Sequence, residues 1–203
     1  MKLEMNRAWN DALRLLRVSR DVILVVAGVF FFLPYFTFMV LAPDPFAGKS
    51  PTSPADVEAM MNRLTHFYGE VWWAILLIVI LQAIGMLGLI ALLTDHRRPT
   101  VGEALKTGAR KAPSYIAAYL LVGIAMGAVM MLLMLIAALG GTAWLGTLAV
   151  LAIVVAWIVA FVRFSLVAPV LVKEETFNPL TALGRSWRLT SGNGWRLFAF
   201  FFL

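Results

Sequence analysis

The chain has little charge and no cysteine. Charged residues make up 14% of its 203 residues and hydrophobic residues 62%, whereas a soluble domain carries about 25% charge. So few charged side chains do not cover a water-exposed surface, and the excess apolar residues must therefore face lipid. The absence of cysteine excludes disulfides, thiolate metal sites and cysteine catalysis.

Signatures of enzymes are equally scarce. The two histidines, His66 and His96, fall in segments predicted on opposite sides of the membrane, so they form no metal-binding pair. Gly48-Lys49-Ser50 does not complete a P-loop, because Pro43 stands where that motif needs a glycine. The basic residues lie beside apolar runs, which argues against nucleic acid as a partner. We predict a protein that is not an enzyme and that uses no metal or cofactor.

Four apolar runs are each long enough to cross a bilayer core, which takes about 20 residues. The predicted transmembrane helices are residues 22–41, 71–93, 114–139 and 143–162. A fifth run covers only 195–203, so we expect it to be the start of a fifth span in a fragment of a longer protein. The predicted fold is an all-α polytopic membrane protein that forms a single domain over residues 1–203.

Lysine and arginine counts outside the spans predict the orientation of the chain. The counts are five in 1–21, two in 42–70, five in 94–113, none in 140–142 and five in 163–196. Because cytoplasmic loops are enriched in these residues, the alternation predicts a cytoplasmic N-terminus.

The outer segment 42–70 contains a predicted helix start. Ser53 is a suitable N-cap, Pro54 suits the first helical position, and Asp56 places an acid in the first turn. We expect a helix that runs from here into the second span.

Each cytoplasmic segment, 1–21, 94–113 and 163–194, contains a predicted short amphipathic helix that leads into the next span. In the third helix, Leu180, Leu183 and Trp187 share one face. Such a helix lies in the interface, with its apolar face toward acyl chains and its arginines toward headgroups. The candidate headgroup-binding residues are Lys106, Arg110, Lys111, Arg163, Arg185, Trp187 and Arg188. Three such units with two spans each would give six spans. The similarity of the units is explained either by duplication of one unit or by similar solutions to the same problem of placing a helix at the interface.

Polar and small residues within the runs are further candidates. Arg163 is either a functional residue at membrane depth or an anchor that ends the fourth span, with Pro169 bending the following chain along the interface; we expect the anchor. Gln82 is expected to form a hydrogen bond between helices rather than to contact a substrate. Gly123 and Gly127 permit close helix approach, and we expect them to pack against a neighbouring span rather than another subunit.

Two stretches carry a resemblance to a known family. The longer one runs from Arg163 to Phe198 and includes the Arg185-Ser-Trp-Arg188 block, and the shorter one is Pro99–Leu105. They resemble the membrane domain of some glycerophosphoryl diester phosphodiesterases and the related YciC-like bacterial inner-membrane proteins. The resemblance implies a six-span helical protein of the bacterial inner membrane. It transfers no catalytic residue, because the phosphodiesterase chemistry of those proteins belongs to a separate soluble domain.

The leading hypothesis is a non-enzymatic membrane protein that organises or senses anionic lipid through its basic cytoplasmic helices. Membrane lipids are then its partners, and a homo-oligomer or another membrane partner stays open. The alternative is a small-solute permease or channel with Gln82 and Arg163 lining the path, which the sparse polar lining disfavours. A membrane-embedded subunit of a lipid-metabolising enzyme would need a nucleophile or metal site that the sequence does not offer.

Overall fold

The computed structural model describes residues 5–44, 46, 53–95, 99–174, 176–192 and 194–201. Within these ranges the regular structure is entirely helical, which confirms the predicted all-α fold. The elements are α1 (Met5–Ala27), a π-helical segment (Gly28–Phe32), α2 (Leu33–Leu41), α3 (Pro54–Thr94), α4 (Val101–Gly140), α5 (Ala143–Phe164), α6 (Val167–Lys173), α7 (Pro179–Thr190) and α8 (Gly194–Phe201).

Four stretches of helix are long and apolar enough to cross a membrane, as the sequence predicted. They are Leu13–Leu41, Pro54–Thr94, Val101–Gly140 and Trp144–Lys173. The chain is therefore a multi-pass helical membrane protein. Helix α8 lies where the fifth span was predicted to start, whereas residues 202 and 203 fall outside the described ranges. The fifth span and the six-span protein stay predictions.

Helix α1, the π-helical segment and α2 form one continuous first helix with two irregularities. The backbone departs from helical geometry at Ser19 (φ −111°, ψ 15°), close to the predicted start of the first span. Further along, the N–H of Leu33 donates to the carbonyl of Gly28, five residues back. This wider turn precedes Pro34, which lacks an N–H and would crowd the carbonyl four residues earlier in an α-helix. The π-helical turn therefore lets the first span contain a proline.

Helix α3 begins as the sequence predicted and continues through the second span. The Ser53 hydroxyl accepts the N–H of Asp56 at 3.2 Å, and the Asp56 carboxylate accepts the N–H of Ser53 at 2.9 Å, with Pro54 at the start of the helix. The 41 residues of α3 rise about 61 Å, whereas the hydrocarbon core is about 30 Å thick. Helix α3 is therefore about twice as long as a core-spanning helix needs to be.

Helix α4 joins a predicted cytoplasmic segment to the third span. It starts with the same reciprocal cap: Glu103 accepts the N–H of Thr100 at 2.8 Å, and the Thr100 hydroxyl accepts the N–H of Glu103 at 3.4 Å. The helix then runs for 40 residues and includes Pro113. As a result, Lys106 and Arg110 stand on the first turns of a spanning helix rather than on a separate interfacial helix.

Helices α3 and α4 meet backbone to backbone at two glycines. A Cβ atom on Gly108 would lie 2.5 Å from the carbonyl oxygen of Ile84 and 2.8 Å from the amide nitrogen of Gly88. Ala104 and Ala112, one turn on either side of Gly108, are buried in the same contact region. Small residues at every fourth position of α4 therefore allow the two backbones to touch.

The predicted packing of Gly123 and Gly127 against a neighbouring span is wrong. Both residues are exposed, and a Cβ atom at either position would meet no described residue within 4 Å. The Gly-x-x-x-Gly spacing permits close approach but requires a second helix at the same depth. Among the described residues, α4 makes its close contact with α3 about four turns before Gly123, at Gly108.

The segment after α5 also differs from the prediction. Helix α5 ends at Phe164 and α6 begins at Val167, so the break precedes Pro169 instead of following it. Helix α6 does not lie along the surface, because Val167 and Leu171 are 0% exposed and α6 contacts both α3 and α4. We call one end of the bundle the α7 end. At this end α3 ends, α4 begins, and α6 and α7 pack against them.

Candidate lipid-headgroup site

Hydroxyl groups satisfy the last carbonyls of α5 at the α7 end. A helix terminus leaves its final carbonyls without helical partners, and in lipid such groups must be satisfied within the protein. Ser165 Oγ donates to the carbonyl of Val162 at 2.9 Å, Ser186 Oγ to that of Arg163 at 2.7 Å, and Tyr119 Oη to that of Phe164 at 3.4 Å. Three consecutive carbonyls are thus taken by side chains, two of which come from other helices.

Helix α7 packs on this turn through small residues that the sequence analysis did not single out. Ala182, Ser186 and Thr190, spaced four residues apart, are all 0% exposed. This buried face is distinct from the predicted apolar face, on which Leu180 and Trp187 are exposed; that the apolar face lies toward acyl chains stays a prediction. The signal that could have found the buried face is the repeat of small side chains at every fourth residue, which is typical of helix packing in membranes.

Packing of α7 brings Arg163 and Trp187 together. The guanidinium carbon of Arg163 lies 4.7 Å from the centroid of the Trp187 ring, and Nη1 donates to the Trp187 carbonyl at 3.4 Å. The ring of Phe164 lies 5.8 Å from the same tryptophan. Stacking on an aromatic face leaves the planar fork of an arginine available for phosphate oxygens. Among the described carboxylates, none lies within 4.0 Å of this guanidinium.

The other predicted headgroup residues divide into paired and unpaired cations. Arg185 Nε lies 2.8 Å from Glu174 Oε1, so its charge is compensated within the protein. By contrast, Lys106, Arg110 and Arg188 are exposed and form no ion pair with a described carboxylate. Lys106 and Arg110 are one turn apart on the same face of α4.

Lys111 differs from the expectation for a headgroup ligand. It is 4% exposed, and its ammonium group donates to the carbonyl of Thr176 at 3.0 Å and lies 3.4 Å from the centroid of the Phe177 ring. Ser114, one turn further along α4, donates to the carbonyl of Phe177 at 2.6 Å. These two residues hold the connection between α6 and α7 against α4, so the contacts of Lys111 are internal.

Gln82 faces a cleft between the first helix, α3 and α4. The cleft has a volume of about 400 Å³, and its lining includes Gln82, Phe31, Tyr115 and Leu120 but not Arg163. The hydrogen bond between helices predicted for Gln82 is not formed with any described residue. The structure therefore does not bring Gln82 and Arg163 into one site.

Carboxylates and histidines do not converge in the described part of the chain. No group of three or more His, Asp or Glu residues there is arranged to hold a metal ion. His66 Nδ1 lies 3.5 Å from Glu70 Oε1 on an exposed face of α3, and His96 lies outside the described residues.

These features define a class of protein: a multi-pass helical membrane protein that has, at one end, an arginine–tryptophan pair and exposed cations without an ion pair to a described carboxylate. No protein-family model matches the chain, and no curated protein or solved structure matches it either. The resemblance of residues 163–198 to the phosphodiesterase-associated membrane domain therefore stays a prediction.

Proposed function

We propose that this protein is a non-enzymatic membrane protein that binds anionic phospholipid headgroups at its α7 end. The observation that carries the proposal is the position of Arg163, which ends an apolar helix, stacks on Trp187 and has no described carboxylate beside it. A cation at this boundary without a protein counter-charge is suited to an anionic partner, and the phosphate of a lipid is the anion present there.

The length of α5 supports this placement. From Ala143 to Arg163 the helix rises about 30 Å, which equals the thickness of the hydrocarbon core. Trp144 lies at the start of α5, and Trp187 of α7 lies beside the other end of α5. Both are exposed, and tryptophan is favoured at the two membrane interfaces. The guanidinium of Arg163 then lies at headgroup level.

Lys106, Arg110 and Arg188 add to the same charged end. Each lysine or arginine near an anionic membrane surface contributes about 1 kcal/mol. Arg185 contributes less, because Glu174 compensates its charge at 2.8 Å. Lys111 is excluded from this group by its burial and its contact with Thr176.

The proposal also includes the orientation of the chain and the membrane in which it lies. The α7 end faces the cytoplasm because the connections there hold most of the lysine and arginine residues. The N-terminus then lies on the same side, and the family resemblance supports a bacterial inner membrane.

The permease alternative receives less support. It needs Gln82 and Arg163 on one path, whereas the cleft is lined by Gln82 without Arg163. Arg163 lies instead beside Trp187 of α7, outside the lining of the cleft.

The test is native mass spectrometry of the full chain released from nanodiscs that contain phosphatidylglycerol and phosphatidylcholine in equal amounts. The wild type is expected to retain phosphatidylglycerol preferentially. Arg163→Gln is expected to reduce this preference roughly five-fold, the equivalent of about 1 kcal/mol. Arg163→Lys, which keeps the charge, should retain part of it.

The matched control is Arg63→Gln, because Arg63 is a basic residue of α3 far from the α7 end. It should leave the preference unchanged. Equal retention of both lipids by the wild type would refute the proposal, and so would an Arg163→Gln variant with undiminished preference.

A further inference from the structure

The cleft beside Gln82 lies within the membrane-spanning part of the protein. Arg163 does not line it, but Tyr119, whose hydroxyl donates to the carbonyl of Phe164, does. Its wall combines apolar side chains, among them Phe31, Met86 and Leu120, with the polar groups of Gln82 and Tyr115. None of the described residues that line it is charged. The chemistry of this wall therefore suits an uncharged, largely apolar ligand with a hydrogen-bonding group.

Gln82 is the polar group that needs such a ligand. Its amide has no hydrogen-bond partner among the described residues, its polar atoms are not sealed in the protein, and the residue lines the cleft. An amide without a partner in an apolar environment is costly. A carbonyl acceptor in the cleft would remove that cost.

The depth of the cleft indicates which carbonyl is available. Tyr115 follows Arg110 by five residues, so it lies about 7.5 Å further along the axis of α4. Each interfacial layer of a bilayer is about 5–7 Å thick, from the difference between the total thickness and the core. If Arg110 lies at headgroup level, Tyr115 lies at the edge of the hydrocarbon core, where the ester carbonyls of glycerolipids are found.

The first helix adds an independent observation. Phe31 belongs to the π-helical segment, and it forms one side of the cleft. Single π-helical turns are rare in proteins and are frequent at functional sites. Here the turn places an aromatic ring where an acyl chain would pass.

We propose that this cleft binds a membrane glycerolipid, with an ester carbonyl accepting a hydrogen bond from the Gln82 amide. The acyl chain passes along Phe31, Met86 and Leu120. Because no charged residue is among the described residues that line the cleft, binding does not depend on an anionic headgroup or on the charge of Arg163.

The test uses phosphatidylcholine that carries a diazirine near the ester of one acyl chain. The full chain is placed in nanodiscs of phosphatidylcholine alone, so the binding of anionic headgroups does not contribute, and the cross-linked residues are located by mass spectrometry. Labelling is expected at Met86 and Leu120 in excess of labelling at Met131, which is exposed but does not line the cleft. Gln82→Met should reduce the labelling of the cleft about three-fold, which corresponds to about 0.6 kcal/mol for a hydrogen bond in a membrane.

Labelling of Met131 in the same molecules is the control for folding and lipid supply, and Gln82→Met should leave it unchanged. A second variant, Leu120→Trp, fills part of the cleft and should lower the labelling of Met86. Equal labelling of Met86 and Met131 in the wild type would overturn the proposal. The same holds if Gln82→Met is labelled like the wild type at Met86 and Leu120.

Discussion

The hydroxyl of Ser186 on α7 donates a 2.7 Å hydrogen bond to the carbonyl oxygen of Arg163 at the end of α5. The bond lets α5 end against protein instead of lipid, where an unsatisfied carbonyl would be costly. It also fixes the register of α7 so that the Trp187 ring lies beside the Arg163 guanidinium. The hydrogen bond to the Arg163 carbonyl and the assembly of the proposed headgroup site therefore depend on the same contact between Ser186 and Arg163.

Removal of this hydroxyl should destabilise the α7 end. We expect Ser186→Ala to lower the free energy of unfolding by about 1–2 kcal/mol, because the partly buried carbonyl of Arg163 then keeps, among the described side chains, only the longer contact to Thr190, at 3.5 Å. The measurement is denaturant unfolding in detergent micelles. Ser191→Ala, which alters an exposed serine next to α7, is the control and should stay within about 0.5 kcal/mol of the wild type. Equal stability of both variants would contradict the role of the bond.

Alanine substitutions at Gly108 and at Gly123 of α4 should have different effects on stability. Gly108→Ala places a Cβ atom 2.5 Å from the carbonyl oxygen of Ile84, so we expect a loss of about 1–3 kcal/mol from overpacking. Gly123→Ala meets no described residue within 4 Å and should be neutral or slightly stabilising, because alanine favours helix over glycine. Thermal unfolding of the two variants in the same detergent decides the matter. A greater loss at Gly123 would mean that α3 and α4 do not cross at Gly108.

Substitution of Lys111 should lower stability, whereas substitution of Lys106 should weaken lipid binding. Lys111→Met removes a donor to the Thr176 carbonyl and a cation from the Phe177 ring, so stability should fall by about 1–3 kcal/mol. The connection between α6 and α7 should also become more sensitive to protease. Lys106→Met should leave stability nearly unchanged while lowering the preference for phosphatidylglycerol, because Lys106 is exposed. The reverse pattern would assign Lys111, not Lys106, to the lipid surface.

The start of α4 should become less stable in acid. Two hydrogen bonds from Thr100, one from its backbone N–H and one from its hydroxyl, hold the pKa of Glu103 below its ordinary value of 4.5. Because the folded-state pKa is the lower one, the stabilisation is complete above the ordinary value and is lost as the pH falls through the folded-state value. Unfolding of the wild type and Glu103→Gln, measured from neutral to acidic pH, should show their difference shrinking in acid. A constant difference across that range would argue against the cap.

The spans were predictable from the sequence because each of them is a long apolar run with few competing interpretations. The cap at Ser53 was predictable for a similar reason, since Pro54 and Asp56 occupy positions with a known local role. These features depend on neighbours in the sequence. Tertiary structure changes them little.

The packing of α7 was not predictable from its apolar periodicity. The apolar periodicity of Leu180, Leu183 and Trp187 predicted a face toward acyl chains, but lipid is as apolar as leucine, so hydrophobicity does not select the face that packs against protein. Small size and hydrogen bonding do, and they selected Ser186 and Thr190 instead. Gly123 was misjudged for a related reason, because its spacing says nothing about where the partner helix lies.

The most direct measurement is the proximity of the Arg163 side chain to lipid phosphorus in a bilayer. Solid-state NMR dephasing between ¹³C-labelled guanidinium carbons and ³¹P would be recorded in phosphatidylglycerol membranes, with Arg163→Gln used to assign the Arg163 signal. We predict strong dephasing of that signal, as expected for a charge-assisted N–H···O contact of about 2.7–2.9 Å. The signal of Arg185, which is paired with Glu174, should dephase more weakly. An Arg163 signal that persists without dephasing while other arginines contact phosphate would contradict the proposed site.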